Sequence, residues 1–229
     1  MVVASLSGIT TALPPVSADL VLEVLEAAAV MVSAVAGMIV ASNKGMDVVG
    51  AFSLACVNAF GGGTVRDLLL DNRPFYWMEN WGYFVVILGL CIPFVYSAQA
   101  FRVTSAVHRR SGKVDALGLA LFTMTGVGIA LTRGSPPVVA VLMGVITGTM
   151  GGVLRDLVVN EIPELFRPGA LYATASLLGA VAFVGCLQRF DYEWALAAGI
   201  VTVVVLRLGS LYLGIGIPSP HWVVPPGKQ

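Results

Sequence analysis

The sequence predicts an all-α membrane protein with seven transmembrane helices, arranged as two inverted three-helix repeats plus a seventh helix. Three observations predict it. The 229 residues are 57% hydrophobic and only 11% charged, whereas soluble domains carry roughly 25% charged residues. Seven apolar runs approach the roughly 20 residues that a membrane helix needs. Finally, Gly62-Gly63-Thr64-Val65-Arg66-Asp67 recurs as Gly151-Gly152-Val153-Leu154-Arg155-Asp156, 89 residues further on. At the same offset Lys44-Gly45 falls on Arg133-Gly134, Gly37 on Gly126, Glu26 on Asp115 and Pro74 on Pro163. Landmarks shared over two apolar segments read as an internal duplication.

Taken in order, residues 1–19 form a lead-in. They lack the basic start and continuous apolar core of a cleavable signal peptide, and Pro14-Pro15 suggests an extended entry. The first repeat, 20–100, holds helices over Leu20–Ala41, Val48–Leu70 and Trp81–Ala98. A basic linker, 101–113, separates the halves. The second repeat, 114–190, holds helices over Val114–Leu131, Pro137–Val159 and Ala170–Leu187. A seventh helix, Trp194–Leu213 within 191–213, has no counterpart in the duplication, and residues 214–229 form a Pro-rich tail. Three helices is an odd number, so the second copy enters the membrane upside down.

Loop charges set the orientation. One side carries Lys44, Arg102, Arg109, Arg110, Lys113, Arg167 and Lys228, and the other Arg73, Arg133 and Arg189. This places the C-terminus in the cytoplasm and the N-terminus outside. Tyr76, Trp77, Trp81 and Trp194 lie near helix ends, as an aromatic belt does.

The candidate site lies in the middle helix of each repeat. Gly61, Gly62 and Gly63 cost about 1 kcal/mol each relative to Ala inside a helix. Gly151 and Gly152 sit correspondingly in the second copy, with Gly148 three residues before Gly151. Glycine frees the backbone to bend, and backbone exposed at membrane depth must face protein or water. The alternative is close helix packing, which small residues also serve. Recurrence beside charged residues favours a broken helix lining a wet path.

Arg66 and Asp67, like Arg155 and Asp156, are adjacent and point about 100° apart on a helix. The expectation is therefore that each Arg pairs with the other copy's Asp, Arg66 with Asp156 and Arg155 with Asp67. The alternative is a snorkelling helix end. Lys44 at the helix mouth and Ser53, Asn58, Thr64, Thr147 and Thr149 near the glycines either line a hydrated path or bond back to their own helix. Glu23, Glu26 and Asp115 read first as acids favoured by helix N-termini, with ion coordination as the alternative. Arg207, inside the seventh helix, is either a paired interior charge or a snorkelling one. Cys56, Cys91 and Cys186 lie in apolar runs without metal or redox spacing. His108 and His221 fall outside the spans. No nucleotide, hydrolase or metalloprotease motif is present. Zero formal net charge offers nothing to nucleic acid. No enzyme activity, metal or cofactor is expected.

These motifs resemble the trimeric intracellular cation channel family, in its prokaryotic branch, also labelled a glycine transporter domain. The resemblance covers about Leu20 to Leu213. It rests on the two glycine–Arg–Asp segments together with Asn43-Lys44-Gly45-Met46-Asp47, Glu161-Ile162-Pro163 and Leu171-Tyr172-Ala173-Thr174-Ala175. It implies a homotrimer in a prokaryotic inner membrane, surrounded by lipid, with one pore per subunit. It further implies conduction of monovalent cations, chiefly K⁺ with Na⁺ also passing, through a pore shaped by kinks at Gly61, Gly62, Gly63, Gly151 and Gly152. Gly61 falls on Met150 in the second copy, so the two kinks would not be identical. No carbonyl selectivity filter of the TVGYG type is present. Arg66 and Arg155 in a cation path must be paired or displaced. The rival function is a secondary transporter of a small zwitterion such as glycine, with Arg66 or Arg155 holding its carboxylate.

Overall fold

Each of the seven apolar runs folds as an α-helix, and one short helix joins them. The computed structural model describes residues 17–100, 106–167, 171–214 and 216. The helices are α1 (Ser17–Asn43), α2 (Val48–Leu69), α3 (Tyr76–Glu79), α4 (Gly82–Ala100), α5 (Ala106–Thr132), α6 (Pro137–Val158), α7 (Ala173–Cys186) and α8 (Tyr192–Leu213). Among the described residues, a 3-10 turn spans Glu164–Phe166. Among the described residues, α1, α2, α5, α6 and α8 contain spans long and apolar enough to cross a membrane, while α7 and the described part of α4, Gly82–Tyr96, are shorter apolar helices.

The first two helices of each half match in length and spacing. Both α1 and α5 have 27 residues, and α2 and α6 both have 22, with starts 89 residues apart. The turns repeat as well. Gly45 (φ +67°) and Gly134 (φ +74°) follow the first helix of each half, in a left-handed conformation that only glycine adopts freely. Asp71 (φ 49°) and Asn160 (φ 57°) follow the second; Asp and Asn are the non-glycine residues that best tolerate that region. The halves diverge after this point. α3 is helical where the second half has the 3-10 turn, and α4 has 19 residues where α7 has 14.

α1 packs on α2 and α5, α2 on α6, and α5 on α6 and α8, while α4 covers α2 and α7 bridges α6 and α8. The loops meet in pairs. Lys44, after α1, pairs with Glu161, after α6, and Asn72, after α2, accepts a hydrogen bond from Arg133, after α5. Near the Lys44 end, the Lys113 ammonium lies 5.2 Å from the Tyr212 ring of α8. One end of the molecule thus gathers Lys44, Lys113, Glu161 and Tyr212, and the other gathers Asn72 and Arg133.

Two sequence expectations need correction. The basic linker is largely helix, because α5 begins at Ala106; no proline interrupts 106–132, and basic residues near a span's end stay in water without unwinding it. The interrupted middle helices are also not found. α2 and α6 are each assigned as one continuous helix through their glycines. Residues 1–16 of the lead-in, Arg102, the side chains of His108 to Arg110, and His221 and Lys228 of the tail lie outside the described residues.

Candidate functional site

What the glycines do is visible in what a side chain there would strike. A Cβ on Gly62 would lie 2.1 Å from the Thr147 carbonyl oxygen, and a Cβ on Gly151 would lie 2.5 Å from the Asn58 carbonyl oxygen. Asn58 and Thr147 are themselves partners under the 89-residue offset, so the two contacts exchange across a pseudo-two-fold axis between α2 and α6. The same logic recurs further out: a Cβ on Gly37 would meet the Leu54 carbonyl at 3.0 Å, and one on Gly126 the Met143 carbonyl at 2.8 Å. Bare backbone against backbone is how membrane helices approach most closely, with Cα–H groups facing carbonyl oxygens. Gly148 packs against the Thr123 hydroxyl and Gly61 against the tip of Leu154.

Gly63 and Gly152 do something else. A Cβ on Gly63 would sit 3.6 Å from Glu26 Oε1 and 3.7 Å from Arg66 Nη2. The bare position leaves the room in which those charges meet. Arg66 donates through Nη2 to Glu26 Oε1 at 2.7 Å and through Nε to Asp67 Oδ1 at 2.8 Å. Asn72 donates to the same Asp67 oxygen at 3.0 Å, and the Tyr76 amide, at the start of α3, reaches Asp67 Oδ2 at 3.5 Å. The second half repeats the design. Arg155 donates through Nη1 to Asp115 Oδ1 at 2.8 Å and through Nε to Asp156 Oδ1 at 2.9 Å. The Glu164 amide, opening the 3-10 turn, donates to Asp156 Oδ2 at 3.1 Å.

All six charged side chains are buried, Arg66 and Asp67 completely. Each triad holds two carboxylates and one guanidinium, a formal charge of −1. An unpaired buried Arg would be severely destabilising, and breaking such a pair costs about 3–5 kcal/mol, so the acid pairing is what permits an Arg here.

The expected exchange of charges between repeats is therefore wrong. Arg66 pairs with Glu26 and Asp67, and Arg155 with Asp115 and Asp156, within each half. The 100° separation of neighbours did not forbid pairing, because the long Arg side chain turns back along the helix while Nη reaches an acid on the preceding helix. Glu26 and Asp115 were assigned to helix N-termini, yet they accept from the guanidinium. A signal for this was present: Glu26 to Arg66 and Asp115 to Arg155 are both separated by 40 residues.

The uncharged candidates divide. Asn58 donates to the Ser33 carbonyl at 2.6 Å, and Thr147 to the Met143 carbonyl at 2.6 Å. Thr149 bonds to the Val145 carbonyl on its own helix, the less eventful of the two readings. Thr64 donates to the Phe60 carbonyl at 2.7 Å and accepts from Trp77 Nε1 at 3.2 Å. Ser53 is exposed, away from both triads. Lys44 is exposed and paired with Glu161, whose carboxyl also accepts from Arg167 at 3.0 Å. These bonds hold the Glu161 carboxyl below the usual carboxylate range, the Lys44 hydrogen bond contributing most. Arg207 proves to be a paired interior charge. It is buried, bound to Glu164, with its guanidinium 4.9 Å from the Tyr172 ring. Sequence reasoning gave no role to Glu164 or Tyr172.

Each triad faces a cavity, and the two differ greatly. The Arg155 triad adjoins a cavity of about 340 Å³ lined by Lys44, Asp115, Arg155, Asp156, Glu161 and Arg167 among others. The Arg66 triad adjoins one of about 10 Å³, lined in part by Phe60, Tyr76 and Trp77. Phe84 packs edge-on to Trp77 with centroids 6.0 Å apart and lies 4.9 Å from the Phe60 ring, so the lid is aromatic throughout. Among the described residues no cluster suited to a metal ion occurs.

Comparison with known proteins agrees with this architecture. A family model described as glycine transporter matches residues 23–99 and again 113–188, one match to each repeat. A UPF0126 membrane protein of Vibrio cholerae is 34% identical over 197 residues, covering 82% of this chain and 78% of the relative. The UPF0126 inner membrane protein YadS of Escherichia coli K12 is 34% identical over 195 residues, covering 82% and 90%. Among solved structures, the TRIC trimeric intracellular cation channel orthologue from Rhodobacter sphaeroides is 38% identical with a TM-score of 0.78, covering 85% of this chain and 99% of that one. A prokaryotic TRIC channel solved in 0.5 M KCl is 28% identical with a TM-score of 0.79, covering 85% and 98%.

Proposed function

This chain belongs to the glycine transporter family and shares the fold of the prokaryotic TRIC channels, and from that premise we propose that it is a passive cation channel of a bacterial inner membrane. In this reading it passes monovalent cations, K⁺ foremost, through one pore in each subunit of a homotrimer. The observation that carries the reading is the 38% identity to a TRIC orthologue over 99% of that chain's length. The site supports it physically. Two buried triads of charge −1 face cavities toward opposite ends of one subunit, and pairing removes the arginines as barriers to cations.

All seven apolar helices cross the membrane in this proposal, 20–100 and 114–190 as inverted repeats. The loop pairings support inversion: Lys44 after α1 meets Glu161 after α6, and Asn72 after α2 meets Arg133 after α5. Such contacts arise when the second copy runs the opposite way through the bilayer. The end holding Lys44, Lys113, Arg167 and the close of α8 is cytoplasmic by the positive-inside rule. The pore is shaped by the glycines of α2 and α6, which bring the helices together beside it.

Purified protein in liposomes tests the function. Expected are K⁺ flux in liposomes and discrete unitary K⁺ currents in planar bilayers, with no glycine accumulation. Saturable, gradient-coupled glycine uptake without unitary events would replace the channel by a transporter.

A further inference from the structure

Among the described residues, Asp115 Oδ2 is the one carboxylate oxygen that is buried without a hydrogen-bond partner. Its companion Oδ1 is committed to Arg155 at 2.8 Å, and the side chain is only 9% exposed. Leaving a buried acceptor unpaired is destabilising, the more so when it is charged. Asp115 also lines the cavity of about 340 Å³. We propose that Asp115 Oδ2 binds a monovalent cation in this vestibule. The inference rests on the channel reading and adds to it a specific resting place for the ion.

The surrounding charges favour a cation over an anion. Every basic group on the cavity wall already has an acid: Arg155 holds Asp115 and Asp156, and Lys44 and Arg167 share Glu161. Among the described residues that line the cavity no guanidinium or ammonium is left over for an anion, Lys113 beside it lies over the Tyr212 ring, and the Arg155 triad keeps a formal charge of −1. The cavity has room for several waters, so an ion enters with part of its hydration shell. One free carboxylate oxygen with water as the remaining ligands suits a monovalent ion. Ca²⁺ takes 6–8 oxygen ligands, typically from several carboxylates.

The equivalent position in the first half is Glu26, where the cavity is about 10 Å³. That is room for about one water. In this conformation the site therefore exists on one side only.

The test is anomalous diffraction from crystals of the full-length protein soaked in RbCl, together with unitary conductance. A Rb⁺ peak is expected within direct coordination distance of Asp115 Oδ2 and is expected to vanish in Asp115→Asn. At about 10 mM K⁺, where the Debye length is about 30 Å, Asp115→Asn is expected to lower unitary conductance several-fold. At about 1 M KCl, where screening acts within about 3 Å, the difference shrinks. A wild-type protein that conducts K⁺ yet shows no Rb⁺ at Asp115 overturns the site and leaves the channel standing. Rb⁺ at Asp115 in a protein that conducts nothing keeps the site and overturns the channel. The wild-type diffraction result does not depend on whether the variant folds.

Discussion

Replacing the three glycines of α2 one at a time separates packing from bending as the reason they are there. Gly62→Ala places a methyl 2.1 Å from the Thr147 carbonyl, and contacts under 3.0 Å essentially never occur. Since both sides of that contact are helix backbone, α2 and α6 must part by about 1 Å. Overpacking of this kind costs about 1–3 kcal/mol, and a rigid obstacle places it at the upper end. Helix propensity returns about 1 kcal/mol. The net loss is then about 2 kcal/mol, or about 4–8 °C in Tm for a chain of this size. Gly63→Ala meets only ordinary contacts, at 3.6 and 3.7 Å, and is expected to be neutral or slightly stabilising. Gly61→Ala meets the movable tip of Leu154 at 2.8 Å and falls between. Thermal unfolding of the detergent-purified proteins, followed by loss of the monodisperse size-exclusion peak, reads the order. Equal losses at all three positions, or the largest loss at Gly63, would refute the packing account and restore a backbone bend as the requirement.

Three further outcomes follow from the same geometry. A double-mutant cycle on Glu26→Gln and Arg66→Met is expected to give a coupling energy of about 0.5–3 kcal/mol, whereas Arg66→Met with Asp156→Asn should be additive; coupling only in the second cycle would reinstate pairing between the repeats. Because the Glu161 carboxyl is held below its ordinary 4.5, its link to Lys44 stabilises the fold above that pH and is lost as pH falls through the lower folded value. Tm measured from pH 7 to pH 3 should show this acid-side loss, and Lys44→Met should diminish it; identical profiles would exclude the link. Trp77→Ala removes the indole that donates to Thr64 and is expected to raise the rate at which a thiol reagent labels Gly63→Cys in a cysteine-free background, an unchanged rate counting against α3 as the lid.

The sequence carried the repeat nearly intact because a duplication preserves residue types at fixed offset, and Gly45/Gly134 and Asp71/Asn160 preserve even the turns. All seven apolar helices were legible as apolar runs. What the glycines do was not, because lack of a Cβ permits bending and close approach alike, and only the facing surface decides. Gly62 faces a carbonyl of α6, which no property of α2 reveals. The partners of Arg66 and Arg155 were closer to legible. Glu26 and Asp115 align under the offset, but the charges on neighbouring residues drew attention away from acids on the preceding helix. α3 was missed because four residues, Tyr76 to Glu79, are too few to carry a helical period.

The same duplication also explains where opening would occur. The two halves have one backbone plan, yet Phe60, Thr64 and Trp77 close the Arg66 side, while Thr149 and Val153 stand at the positions of Phe60 and Thr64. Parting α2 from α6 would break two backbone-tight contacts at the pseudo-axis and disturb both buried triads, at several kcal/mol. Lifting α3 breaks far less. It is four residues long with none buried, and it is held by the Trp77–Thr64 hydrogen bond, aromatic contacts and a long amide bond to Asp67. Such a hydrogen bond and ring pair contribute about 1 kcal/mol each, and local opening favours segments with few buried contacts. The glycine contacts between α2 and α6 are therefore the costlier to break, and α3, over Glu26 and Asp67, is the less costly element to displace.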